Sequence, residues 1–202
     1  TSASGSGAPL ADISSLMISF LPMNSVLHPI IVLHRLTNNP TAVERSFVNN
    51  HDTFRPQLNA QGNYSGWNTG QQLGAQIDPY DVRSSVAHAL ALSVDGAPQI
   101  FFEDLFDIGQ NGNRWTHQPT STASLPVRSD IANLIWCHQN LRFKDGSYLV
   151  RWQAPDALVI ERQGKALIAM NDQFSTWQNL TGVQTTWADG TVLMDYSGAN
   201  TS

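Results

Sequence analysis

Cysteine is nearly absent from this sequence of 202 residues, which contains only Cys137. A single cysteine excludes an intrachain disulfide framework and a cysteine-based zinc site. Cys137 stands next to apolar residues in a segment with helical periodicity. Because reactive thiols need an accessible, electropositive setting, we expect Cys137 to be buried and inert.

Positive charge is also scarce. Eleven Lys and Arg stand against 16 Asp and Glu, which gives a formal net charge of -5 and a pI of about 5.5. The broad positive field that attracts nucleic acid or anionic lipid is therefore missing. We expect neutral or small partners, with no nucleic acid and no membrane among them.

Long apolar runs are interrupted. The most apolar stretch, residues 10–36, contains Asp12, Pro22, Pro29 and Arg35, among other polar residues. A spanning helix needs about 20 consecutive, mainly apolar residues. The stretch predicts two short buried helices that end near the prolines.

Several motifs are missing from the sequence altogether. It has no HExxH, CxxC or EF-hand loop, and its six histidines form no i, i+4 pair, so we expect no metal site in this chain. It also lacks a GxSxG elbow, a Walker loop and a GxGxxG fingerprint, so the local signatures of serine hydrolases, P-loop enzymes and dinucleotide-binding enzymes are missing.

The hydrophobic content of 41% is high enough for a real core. Residues 1–9 read as a flexible lead-in of small residues. A strand over 43–48, a helix over 81–94 and the apolar run QIFFEDLF at 99–106 form a β-α-β pattern. That pattern predicts a parallel sheet.

Between that strand and helix, residues 56–79 have no clear periodicity and read as a long loop. A second amphipathic helix is predicted over 128–141. From residue 147 the sequence changes to short alternating runs separated by Gly and Asp turns, which predicts a small antiparallel β domain over 146–202.

Carboxylates occur close to aromatic residues in the predicted loops. Sugars pack their C–H faces on aromatic rings and bind carboxylates and amides through their hydroxyls, so this mixture favours a carbohydrate ligand. The candidate ligand-binding residues are Asn50, His51, Asp52, Tyr64, Trp67, Glu103 and Asp104.

The order of these residues along the chain predicts that two polar groups share one rim of the sheet. Asn50, His51 and Asp52 follow the first strand, and Glu103 and Asp104 lie near the end of the next. Ligand sites lie at the carboxyl ends of parallel strands. The alternatives are a turn or helix-cap role for Asp52 and solvated strand ends for the other two.

Three stretches resemble the α-amylase superfamily, glycoside hydrolase family 13. SFVNNHDTFRP, at 46–56, is similar to its fourth conserved region, in which a strand ends in F-V-x-N-H-D. GAPQIFFEDLFDIG, at 96–109, resembles its eighth barrel strand, written G-x-P-x-I-Y-Y-x-D. ALVIERQGKALIAMND, at 157–172, resembles its C-terminal β-sandwich domain.

The resemblance implies a role for each residue of the N-H-D core. Asp52 matches the carboxylate that orients sugar hydroxyls and stabilises the oxocarbenium-like transition state. His51 matches the histidine that hydrogen-bonds hydroxyls at the cleavage subsite, and Asn50 matches a supporting residue. The implied fold is α/β: residues 10–145 form the C-terminal portion of a (β/α)₈ barrel, and a β-sandwich domain follows.

The chain departs from the family by lacking G-F-R-x-D, which carries the nucleophile, and the glutamate motif that carries the general acid. Retaining hydrolysis needs both groups. We therefore expect an α-glucan-active fragment that is inactive until a second chain, a missing N-terminal part or a homo-oligomer completes the barrel.

The alternatives are a transglycosylase of the same superfamily and a non-catalytic carbohydrate-binding or assembly module. Calcium is usual in the family, but its ligands are expected from the parts that this chain lacks, and no cofactor is assigned to the chain. Because polymeric glucan is met outside the cell, we expect an extracellular or periplasmic location.

Overall fold

The fold is taken from a computed structural model. It describes residues 11–13, 16–18, 45–50, 56–61, 64–67, 77, 81–106, 127–173 and 176–196. The predicted lead-in at 1–9 and the two predicted catalytic residues, His51 and Asp52, lie outside these ranges. The chain divides into two compact units, residues 26–136 and residues 1–25 with 137–202.

The first unit contains a parallel strand pair joined through a helix. β3 (Arg45–Ser46) pairs in parallel with β6 (Ala97–Pro98), and α1 (Arg83–Ser93) lies between them in the chain. The Ser46 hydroxyl donates to the Ala91 carbonyl oxygen at 2.7 Å and so ties β3 to the helix. The β-α-β pattern read from the sequence is thus present as a parallel pair with an intervening helix.

Helix α1 forms where the apolar periodicity predicted it. Its inward face consists of buried side chains at helical spacing, Val86, Ala87, Ala91 and Leu92. The helix ends at Ser93, and Gly96 has a φ of 116°, a conformation that L side chains rarely adopt. The helix prediction over 81–94 is confirmed to within two residues at its start and one at its end.

The prediction of a continuous strand over QIFFEDLF is wrong. The strand is limited to Ala97–Pro98, and Phe102–Leu105 forms the short helix α2. Two neighbouring residues of α2, Glu103 and Asp104, are both buried. An extended strand would point neighbouring side chains to opposite faces, whereas the helical turn lets both enter the interior.

The stretch predicted as a long loop contains a hairpin. β4 (Pro56–Leu58) pairs antiparallel with β5 (Tyr64–Trp67), with an irregular register between Gln57 and Leu58. At the turn, the backbone N–H of Gln61 donates to Asn59 Oδ1 at 3.0 Å. Such an Asx turn is a local signal that hydrophobic periodicity does not detect.

Helix α3 (Ser129–Asn140) lies inside the segment predicted to be helical, 128–141. Ile131 is fully buried, as expected for the apolar face. At its start, Arg128 Nη2 donates to Asp130 Oδ2 at 2.7 Å. The helix prediction is confirmed.

The second unit contains the antiparallel strands predicted from residue 147 onward. β7 (Tyr148–Ala154), β8 (Ala157–Arg162) and β9 (Ala166–Asn171) form a three-stranded meander. A hydrophobic cluster includes residues of this sheet. Its buried members are Ala157, Val159, Leu180 and Val183, and Trp152, Leu167 and Ala169 pack on them.

The remaining strands of this unit pair with residues from the start of the chain. β10 (Gln178–Leu180) pairs antiparallel with β2 (Leu16–Ile18), and β11 (Val183–Thr185) pairs antiparallel with β1 (Ala11–Ile13). The helix prediction is therefore wrong for residues 11–13 and 16–18. These strands satisfy backbone groups that the edges of β10 and β11 would otherwise expose.

This pairing places residues 11–13 and 16–18 in the same compact unit as the C-terminal strands, which the sequence did not predict. The reason is a long-range backbone pairing with no signature in the local pattern. Among the residues described, no helix is long and apolar enough to cross a membrane.

Candidate functional site

A cluster of buried polar side chains lies at the carboxyl end of the parallel pair. Asn49 comes three residues after β3, Asp104 lies in α2 after β6, and His88 is in the middle of α1. Their exposed fractions are 2% for Asn49 and 0% for the other two. Buried polar groups of this kind need partners, because an unpaired one costs roughly 1–3 kcal/mol.

Asn49 connects the two strand ends. Its Nδ2 donates to Asp104 Oδ1 at 2.9 Å and to the carbonyl oxygen of Ile77, also at 2.9 Å. The amide thus binds one group from the loop before α1 and one from the segment after β6. The chain just before the N-H-D triplet is held from two directions.

His88 faces the other oxygen of the same carboxylate. His88 Nε2 lies 3.4 Å from Asp104 Oδ2, and Nδ1 lies 2.7 Å from the carbonyl oxygen of Ser84. A carbonyl oxygen only accepts hydrogen bonds, so Nδ1 is the protonated nitrogen that donates to it. Nε2 is the ring nitrogen that faces Asp104.

Arg128 approaches the same region from the start of α3. Its Nη1 lies 3.4 Å from Ser84 Oγ, while Nη2 forms the ion pair with Asp130. Ser84 is fully buried and supplies its backbone carbonyl to His88 and its hydroxyl to the arginine. The contact between Arg128 and Ser84 ties α1 to the start of α3.

The start of α1 carries a perturbed ion pair. Burial raises the pKa of Asp81, but the hydrogen bonds and positive charge of Arg83 outweigh it and hold that pKa below its usual value. The hydrogen bond from Arg83 to Asp81 raises the pKa of the arginine, against the opposing effect of burial. The pair is half-exposed, so its contribution to stability is small.

The structure brings only some of the predicted site residues together. Asn50 follows Asn49 directly and is half-buried, and Glu103 is 3% exposed beside Asp104. Asp104 directs its two oxygens at Asn49 and His88. The Asn49–Asp104 hydrogen bond connects the segments that follow the two strands. The shared rim of Asn50, His51 and Asp52 with Glu103 and Asp104 stays a prediction.

Other predicted site residues have backbone positions only. Tyr64 lies opposite Leu58 and Trp67 opposite Pro56 in the β4–β5 hairpin. Their side chains, and all of His51 and Asp52, lie outside the described residues. Their predicted contacts with substrate stay predictions.

Sequence reasoning missed Asn49 and His88. His88 offered one signal, since it follows Ser84 by four residues and shares the buried face of α1 with Ala91 and Leu92. A histidine on an apolar face needs a polar partner, but no local pattern identifies Asp104, sixteen residues away, as that partner. Asn49 stands directly before the N-H-D triplet, but the sequence pattern assigned no role to it.

A second polar cluster lies in the β unit. Glu161 is fully buried, accepts a hydrogen bond from Arg151 Nε at 2.7 Å, and also accepts the backbone N–H and the hydroxyl of Thr186. These contacts tie β7 and β8 to the chain after β11. The cluster is a structural tie, since all its contacts are internal.

Within the described ranges, no three His, Cys, Asp or Glu side chains lie close enough to hold a metal ion. The cluster at the strand ends contains one histidine and one carboxylate in contact, together with amide and carbonyl groups. Its chemistry is that of holding chain segments in place by hydrogen bonds. Comparison of the chain with protein-family models, with curated proteins and with solved structures finds no match.

Proposed function

We propose that this chain is the C-terminal part of an α-amylase-type glycoside hydrolase that acts on α-glucan by the retaining mechanism. In this proposal Asp52 stabilises the oxocarbenium-like transition state, and His51 hydrogen-bonds the hydroxyls of the sugar being cleaved. Asn50, Tyr64, Trp67, Glu103 and Asp104 complete the proposed contacts to the glucan chain. The proposed architecture is the last two strands of a (β/α)₈ barrel followed by a β domain.

The observation that carries the proposal is the connection between two motif segments. The strand before N-H-D runs parallel to the strand of G-x-P-x-I-Y-Y-x-D, and Asn49 donates to Asp104, the residue at the last position of that pattern. In a (β/α)₈ barrel the carboxyl ends of neighbouring strands form the active-site rim. The contact supports a common rim for both segments.

The chemistry requires groups from outside this chain. In retaining hydrolysis a nucleophilic carboxylate forms a glycosyl–enzyme bond while an acid protonates the leaving oxygen; water activated by the same acid group then releases the sugar. Asp52 takes neither role. A second polypeptide or the N-terminal part of a longer chain would supply the nucleophile and the acid, since further copies of this chain would lack the same two motifs.

The first test is activity with and without complementation. The isolated chain is expected to release no reducing sugar from starch. Co-expression with an α-amylase barrel that ends before its own N-H-D motif is expected to restore hydrolysis. Asp52→Asn should abolish the restored activity, because the transition state loses its stabilising carboxylate, whereas the charge-matched control Asp189→Asn, at an exposed position in the β unit, should keep it.

Hydrolysis by the isolated chain would contradict the requirement for complementation. A complemented assembly that binds this chain but leaves starch intact would contradict the hydrolase. Affinity electrophoresis in starch gels adds a second readout, with Trp67→Ala and Asp52→Asn compared with wild type. Retardation of the isolated chain that both substitutions weaken would favour a carbohydrate-binding module instead.

Product analysis separates the hydrolase from a transglycosylase. A complemented hydrolase releases one reducing end for each bond cleaved, whereas a transglycosylase redistributes chain lengths with little net gain of reducing ends. The N-H-D motif is shared by both. Because starch-like polymers are met outside the cell, the proposal includes an extracellular or periplasmic location.

A further inference from the structure

The buried pair formed by His88 and Asp104 lies next to the segment that carries the N-H-D triplet. We propose that His88 is a positioning residue for this segment, acting through a proton held between His88 Nε2 and Asp104 Oδ2 and through the Asp104–Asn49 hydrogen bond. The consequence for glucan binding rests on the proposed function; the positioning itself does not.

The backbone of α1 determines which ring nitrogen of His88 carries a proton. The carbonyl oxygen of Ser84, 2.7 Å from Nδ1, sits one helical turn earlier in α1. This carbonyl can only accept, so it selects the ring form that carries a proton on Nδ1. The ring orientation is thereby fixed by the backbone of its own helix.

On the other side of the ring, His88 Nε2 faces Asp104 Oδ2. Nε2 and Oδ2 are 3.4 Å apart, both side chains are 0% exposed, and neither atom has a hydrogen-bond partner among the described residues. Two facing lone pairs in a buried site would repel each other. One proton between them, on either atom, converts the repulsion into attraction.

The carboxylate of Asp104 links this pair to the segment after β3. Asp104 Oδ1 accepts from Asn49 Nδ2, and the second N–H of the same amide is directed at the Ile77 carbonyl oxygen. Asn49 thus uses both its amide hydrogens and has a single favourable orientation. Through Asp104, helix α1 sets the position of Asn49 and with it the start of the N-H-D triplet.

The proton is tested directly by NMR on the full chain labelled with ¹⁵N. We expect a downfield proton resonance that is present in wild type and absent in both His88→Leu and Asp104→Asn. Asp104→Asn retains an oxygen that accepts from Asn49, so it tests the proton without removing the amide contact. A wild-type spectrum without this downfield resonance would overturn the proposal.

The positioning is tested by the side-chain amide signals of Asn49 and the backbone amide of Asn50. Both are expected to shift in His88→Leu and to return towards wild-type values in His88→Gln, whose amide can donate to Asp104 in place of Nε2. Val86→Ala is the control, since it removes buried volume from the same helix without touching the polar cluster. Signals that shift equally in Val86→Ala and His88→Leu would overturn the positioning role.

The consequence for glucan is measured in the complemented assembly. The affinity for soluble starch is expected to fall about tenfold in His88→Leu, the size expected when a hydrogen bond to a charged group is lost, and to recover in His88→Gln. Unchanged affinity in His88→Leu would show that the contacts from His88 through Asp104 to Asn49 do not affect glucan binding. Absence of affinity in the wild-type assembly would contradict the proposed function instead. The positioning role of His88 would then be tested by the amide signals of Asn49 and Asn50 alone.

Discussion

The thiol of Cys137 illustrates how a residue's surroundings set its reactivity. It is 8% exposed, and its sulfur lies 3.9 Å from the carbonyl oxygen of Tyr196. Burial raises the pKa of the thiol, and the negative charge of Asp195 raises it further, against a smaller opposing effect of a backbone hydrogen bond. The expectation of a buried cysteine is confirmed.

We predict slow alkylation of Cys137 in the folded chain. Because the thiolate is the reactive form, a raised pKa and low exposure should make labelling by iodoacetamide near pH 8 at least about tenfold slower than in denaturant. Asp195→Asn should increase the folded-state rate modestly by removing the neighbouring charge. Equal rates for folded and denatured protein, followed by mass spectrometry, would contradict the buried thiol.

Asp172 carries a buried carboxylate oxygen, Oδ1, for which the described part of the chain provides no hydrogen bond. Burial raises its pKa, and the charge of Asp156 raises it further; a backbone hydrogen bond only partly opposes them. The ionised form is therefore disfavoured in the folded state. A folded-state pKa above the unfolded value of 3.8 means that stability is lost as pH rises between the two.

Asp172→Asn should accordingly stabilise the protein at pH 7 but not at pH 3. We expect a gain below about 1 kcal/mol at pH 7, since the group is only partly buried, and a difference near zero once both states are protonated. Urea unfolding at the two pH values measures it. Asp189→Asn, at an exposed position, is the control, and a gain independent of pH would contradict the charge effect.

At the scale of the element, the three-stranded meander holds a buried ion pair. Arg151 of β7 and Glu161 of β8 are in contact across the sheet, and Glu161 also binds Thr186. Removing one partner of a buried pair is costly because it leaves a charge without compensation. The end of β8 and the residue after it approach Gly146 closely, where an added Cβ would lie 2.7 Å from the backbone oxygen of Gln163.

We predict that Arg151→Met lowers the free energy of unfolding by about 3 kcal/mol, the usual cost of stranding one buried charge. The double variant Arg151→Met with Glu161→Met should recover part of that loss. Gln153→Met, an exposed position on the same strand, is the matched control and should change stability little. Equal effects of Arg151→Met and Gln153→Met would show that the pair contributes nothing.

At the scale of the whole molecule, the proposed function concerns what completes the barrel. The parallel pair β3–β6 has only two strands among the described residues, and apolar side chains at 192–194 are exposed, with Val192 92% exposed and Met194 73% exposed. Open strand edges and exposed apolar side chains favour association.

We therefore predict that the purified chain associates. Light scattering coupled to size exclusion should give a mass above the 22.2 kDa of one chain, or a stable complex once a complementing barrel fragment is added. A soluble monomer that unfolds cooperatively and does not bind such a fragment would contradict the proposal that a second component completes the barrel. Activity measured on the same fractions relates the mass to the starch assay.

The sequence alone determined the features that depend on local pattern. Helices α1 and α3 follow from apolar residues recurring at helical spacing, and the meander from 147 onward follows from alternation between turns. The single cysteine and the acidic balance also excluded whole classes of protein. These features are decided within about ten residues, where periodicity and turn chemistry act.

Only the tertiary structure decided the long-range pairings. β1 and β2 became strands because β11 and β10 presented backbone groups to pair with, against a local pattern that predicted helices. Glu103 and Asp104 entered the interior because a helical turn, not a strand, carries them. The Asn49–Asp104–His88 cluster exists because three segments distant in sequence meet. Their polar side chains are buried there, and buried polar groups need polar partners.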